Sequence, residues 1–103
     1  MEIYSIENIQ GKEYEALRLV KGNTVQAKHI GRDIGAGLKG IVGGEIKGYT
    51  DLLNEARQIA TDRMMQEAAD LGADAIIGVR YATSQIMEGA SEVLVYGTAV
   101  KFK

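Results

Sequence analysis

Hydrophobic and polar positions alternate with different periods along the chain, and the periods predict its elements. Residues 14–20 are rich in apolar side chains and predict a strand. Residues 24–30 predict its partner, in which Val25, Ala27 and His29 share one face and Gln26 and Lys28 the other. Lys21-Gly22-Asn23 between them reads as a short turn, because glycine and asparagine tolerate positive φ. Residues 50–71 carry a helical period instead. At about 100° per residue, Leu52, Leu53, Ala56, Ala60, Met64, Ala68 and Leu71 fall on one stripe, the face expected to pack on a sheet. Thr50 is the expected N-cap, Asp51 puts negative charge in the first turn, and Gly72 is the expected residue just past the end. Arg63 and Glu67 also fall inside the stripe. Their spacing of four suggests an ion pair with packed stems, or a place in a subunit interface.

Two further strands come after the helix. Residues 75–82 are apolar with Arg80 as the one charge, and residues 92–102 place Leu94, Tyr96, Thr98, Val100 and Phe102 on one face. A polar segment, 83–91, joins them, with its turn at Glu88-Gly89-Ala90. The order of elements predicts an α+β fold: a two-layer arrangement of a mostly antiparallel sheet packed by one long helix. One helix covers only one face of such a sheet. The second face is expected to go to the glycine-rich block or, preferentially, to another subunit.

Composition narrows the chemistry. A chain of 103 residues with 46% hydrophobic and 25% charged residues is expected to form one globular domain, residues 1–103. Twelve basic residues against fourteen acidic ones give a net charge of −2 and no basic stripe, so nucleic acid is not an expected partner. The absence of cysteine removes disulfides, thiolate metal ligands and thiol nucleophiles together, which fits a cytoplasmic protein. The N-terminus lacks the pattern of a signal peptide, and no apolar run approaches the ~20 residues that span a bilayer.

The distinctive feature lies between the strands and the helix. Seven of thirteen glycines fall between Gly31 and Gly48, directly after the one histidine, His29. Gly35-Ala36-Gly37-Leu38-Lys39-Gly40 matches G-x-G-x-x-G. No buried strand precedes it, and Gly43-Gly44 would interrupt the helix it has to open, so a dinucleotide fingerprint is not supported. His29 with Asp33 and Glu45 makes one nitrogen and two carboxylates, enough for weak binding of a divalent metal ion and short of a firm zinc or copper site. The alternative for His29 is a packed side chain with its ring nitrogens hydrogen-bonded. No catalytic constellation is legible: one histidine stands without a G-x-S-x-G elbow, and no carboxylate pair has acid–base spacing. Gly43 and Gly44 permit a tight turn and close backbone approach before the helix.

Ala27 to Ile34, Ile41-Val42-Gly43-Gly44-Glu45, Gly48-Tyr49-Thr50, Glu55-Ala56-Arg57, Leu71 to Ala75 and Tyr96 to Val100 together resemble the YbjQ-like family of small bacterial and archaeal proteins, over nearly the whole chain. The resemblance implies a dodecin-like β-α-β-β unit with extra short strands that assemble subunits into a homopentameric ring. It also brings a heavy-metal-binding label and otherwise no characterised function. On this reading Arg32, Asp33, Gly43, Gly44 and Glu45 are the ligand-binding or interface positions, and His29, Asp33 and Glu45 are the metal candidates. The expected protein is not an enzyme, and its expected partner is itself. An enzyme using Arg32, Asp33 and Glu45 is the least favoured alternative.

Overall fold

The computed structural model describes residues 1–27 and 47–103. Within them the order is β1 (Glu2–Ile3), β2 (Tyr14–Ala27), α1 (Lys47–Asp70), β3 (Ala75–Met87) and β4 (Ala90–Phe102). The strands form one sheet in the order β1-β3-β4-β2. β1 runs parallel to β3, and the other pairings are antiparallel. This is the α+β arrangement, a mostly antiparallel sheet under one long helix, that the pattern predicts, and β2-α1-β3-β4 is the β-α-β-β unit that the resemblance implies. β1 adds the parallel pair, and two residues are too few to show any period.

The turn expected at residues 21–23, between the strands read at 14–20 and 24–30, does not form. β2 runs unbroken through Lys21-Gly22-Asn23 and pairs along its length with β4. The glycine that suggests a turn serves another purpose. A Cβ on Gly22 would collide with the Ala60 carbonyl oxygen and come within 2.5 Å of the Met64 amide nitrogen. Gly22 therefore lets the backbone of α1 rest on β2, and its φ is not in the positive region. The helix answers with small residues: Ala56, Ala60, Met64 and Ala68, four apart, are fully buried against Val20, Val93, Val95 and Ala99 of the sheet.

α1 begins at Lys47, so Thr50 lies inside it rather than at its N-cap, and its first turn carries no acidic residue. Its other end matches expectation. Gly72 has φ of 78°, its amide donates to the Ala69 carbonyl at 2.9 Å, and the Ala73 amide donates to the Ala68 carbonyl at 3.1 Å. These are the two bonds of a Schellman cap, which needs a left-handed residue at Gly72. No atom lies within 4 Å of a Cβ added there, so Gly72→Ala carries a backbone cost alone. We expect a loss of about 1 kcal/mol, measured as a fall in the urea midpoint with unchanged slope.

β3 and β4 extend through the segment expected to join them, leaving a two-residue connection, Glu88-Gly89, with Gly89 at φ 80°. Polar residues suit this extension because every residue from Tyr81 to Met87 is exposed. β4 alternates as expected: Leu94, Tyr96, Thr98, Val100 and Phe102 share the face turned away from α1, where Val100 belongs to a second cluster with Ile9, Ala75 and Ile77, while Val93, Val95 and Ala99 pack under α1. Tyr4, Tyr14 and Phe102 complete that cluster. One end of the second sheet face is therefore covered by the chain's own N-terminal segment, an occupant the pattern does not reveal.

Candidate functional site

The sequence candidates His29, Arg32, Asp33, Gly43, Gly44 and Glu45 lie outside the described residues. Among the described residues, no three of His, Cys, Asp or Glu gather where they could hold a metal ion. What the structure does show is the ground on either side of the candidate segment. The chain enters that segment after Ala27, at the end of β2, and leaves it at Lys47, the start of α1.

Beside these two points is a pocket of about 270 Å³. Gln26, Ser91 and Gln85 form its floor as one cross-strand row over β2, β4 and β3, with Ser91 in register with both glutamines. Leu52 and Leu53 of α1 form its opposite wall, and Glu88 stands at its rim. Two amides and a hydroxyl facing two leucines can orient a small molecule by hydrogen bonds while burying an apolar part of it. The alternation along β2 predicts that Gln26 faces opposite to Val25. It does not reveal the row, which depends on strand register.

The second notable surface is the sheet face turned away from α1. Leu19, Val25, Leu94, Tyr96 and Ala82 share it, as their register shows. Leu19 is 59% exposed and Val25 53% exposed; Leu19 stands diagonal to Tyr96 and Val25 diagonal to Leu94, and among the described residues nothing covers Leu19 or Val25. Lys21 and Asn23 stand between Leu19 and Val25 on β2, Arg80 is in register with Tyr96 and Glu92 with Val25, and the Asn23 amide donates to Glu92 Oε2 at 3.2 Å.

The two sheet edges differ. Arg63 and Glu67 are not paired with each other, contrary to the ion pair their spacing suggests. Arg63 Nη1 donates to the Asn23 carbonyl at 2.8 Å, and Glu67 Oε1 accepts from the Lys21 amide at 3.3 Å. Side chains of α1 thus occupy the middle of the outer edge of β2, which discourages another strand from pairing there. At the opposite edge, residues 4–6 take up β3 as far as Val79: Tyr4 N donates to Ile76 O, Val79 N to Tyr4 O, and Gly78 N to Ile6 O. Beyond that, from Tyr81 to Met87, no described strand lies beside β3. The Tyr81 hydroxyl shares a hydrogen bond of 2.8 Å with Thr61 Oγ1, tying this strand to the helix.

A four-stranded mixed sheet under one helix, with a second face only part covered, defines a small α+β domain. A crystal structure from Pediococcus pentosaceus, of a protein of unknown function in the DUF74 family, has this fold. It aligns at a TM-score of 0.68 with 21% identity, covering 100% of this chain and 98% of that one. The chain belongs to the YbjQ-like family: a family model described as "Putative heavy-metal-binding" matches residues 1–103. It is 67% identical over 101 residues to a UPF0145 protein of Helicobacter hepaticus, covering 98% of this chain and 97% of that one. It is 57% identical over 104 residues to a UPF0145 protein of Thermotoga maritima, covering 100% and 98%. Among the described residues, no helix is long and apolar enough to cross a membrane.

Proposed function

We propose that the chain is a non-enzymatic, cytoplasmic, ring-forming protein, five copies to the ring as its family resemblance implies, that holds a small ligand where subunits meet. The observation that carries this reading is the apolar patch of Leu19, Val25 and Tyr96 on the sheet face away from α1. Apolar side chains that run diagonally from Leu19 through Tyr96 and Leu94 to Val25, with polar groups beside them, mark an interaction surface. Its rim bears both signs of charge, so a second copy of the chain can meet it without leaving a charge unmatched. The pocket floored by Gln26, Ser91 and Gln85, about 270 Å³, is just below the range of drug-sized ligand sites, about 300 to 1,000 Å³, and suits a smaller molecule. Native mass spectrometry on untagged protein tests both parts. An assembly carrying a constant extra mass per chain is the expected result. A bare assembly contradicts the ligand, and a monomer contradicts the ring.

The family description favours a second reading, in which His29 with Asp33 and Glu45 binds a divalent metal. Its expected signature is stoichiometric metal that His29→Ala removes while the assembly persists. Bound metal unchanged in that variant contradicts the assignment.

A further inference from the structure

We infer that the outer edge of β3 pairs with the same edge of a second copy, antiparallel about a twofold axis at Thr83, so that rings join in pairs. This deepens the assembly reading and rests on it.

Backbone direction supplies the first argument. The Lys21 amide leaves the sheet to reach Glu67, so the backbone groups of its register partner Tyr96 point to the other side, toward β3. Arg80, in register with Tyr96, therefore turns its N–H and C=O toward β4. By alternation Tyr81, Thr83 and Gln85 turn theirs outward, and Val79, whose amide already reaches Tyr4, agrees with that sense. An antiparallel copy centred on Thr83 sets Thr83 opposite Thr83 and Tyr81 opposite Gln85. All three outward residues then find partners in both copies.

Charge supplies the second argument. Between Arg80 and Glu88 there are seven residues and no charge, proline or glycine to discourage a joining strand, and the register irregularity of this run falls after Gln85, outside the paired residues 81–85. The run is positive at one end and negative at the other. Parallel pairing would bring arginine to arginine and glutamate to glutamate. Antiparallel pairing brings the arginine end of each copy to the glutamate end of the other. Arg80 Nη2 stands 3.5 Å from Glu7 and its Nη1 donates to the Ser5 carbonyl at 2.8 Å, so it is already held at the point where residues 4–6 leave the edge.

The test uses the full chain, which has no cysteine of its own. Facing residues in an antiparallel hydrogen-bonded pair have Cα atoms about 5.5 Å apart, within the roughly 4.4–6.8 Å of disulfides. Thr83→Cys, oxidised with diamide, is expected to run on a non-reducing gel at twice the 11.1 kDa chain mass. Gln58→Cys, on the exposed side of α1, is the collision control. Thr83→Pro removes one outward amide, which an edge strand tolerates, and is expected to halve the native mass with the fold retained. Thr83→Cys cross-linking no faster than the control overturns the pairing, as does an undiminished mass for a folded Thr83→Pro. So does a native assembly with an odd number of chains. Each of these leaves the ring standing, whereas a monomer removes both.

Discussion

Gly22→Ala is expected to lower the unfolding free energy by about 3 kcal/mol, the upper end of ordinary overpacking costs. The added Cβ meets the Ala60 carbonyl oxygen and the Met64 amide nitrogen, which are helix backbone and cannot rotate away like a side-chain tip. Relief requires α1 to lift from β2, which opens the line of Ala56, Ala60, Met64 and Ala68 against Val20 and Val95. A small domain has only about 5–15 kcal/mol in total, so Gly22→Val is expected to leave little folded protein. Gly72→Ala provides the scale, since it adds strain at a left-handed residue and meets no atom. If Gly22→Ala unfolds within about 0.5 kcal/mol of the parent, the ordinary scatter of surface substitutions, the close seating of α1 is wrong.

Leu19→Glu is expected to act on assembly and hardly on the fold. The side chain is 59% exposed and lies on the sheet face away from the helix, so a single chain loses little when it becomes polar. In an assembly that closes over this patch, the glutamate has to be buried beside Tyr96. An unpaired buried carboxylate costs several kcal/mol, and about 3 kcal/mol corresponds to more than a hundredfold in dissociation constant. Sedimentation velocity should show smaller species at concentrations where the parent is fully assembled. An unchanged sedimentation coefficient places the subunit contact elsewhere.

Much of the fold is legible in the sequence because two periods suffice to find it. The helical stripe from Ala56 to Ala68, the strand alternation around Leu94 and Tyr96, and Gly72 and Gly89 each have one dominant structural reading, and the structure agrees. Gly22 has two. A glycine between apolar runs signals a turn or a close backbone approach, and only the position of α1 decides between them. Thr50 and Asp51 suggest a helix start because they suit a cap, yet the helix begins three residues earlier. Arg63 and Glu67 illustrate a different limit. Spacing on one helix predicts a pair, while the unsatisfied edge of β2, which no local pattern records, offers each a better partner. The pocket is hidden for the same reason, since Gln26, Ser91 and Gln85 are distant in sequence and meet through register. The candidates at His29, Arg32, Asp33, Gly43, Gly44 and Glu45 fall outside the described residues, so their roles rest on sequence and resemblance.

The central claim is that this chain works as an assembly. The most direct measurement is its native mass at micromolar concentration, taken without tag or chelator. The account predicts ten times the 11.1 kDa chain mass, falling to five times when the β3 edges are blocked by Thr83→Pro. A single species at the mass of one chain would contradict it.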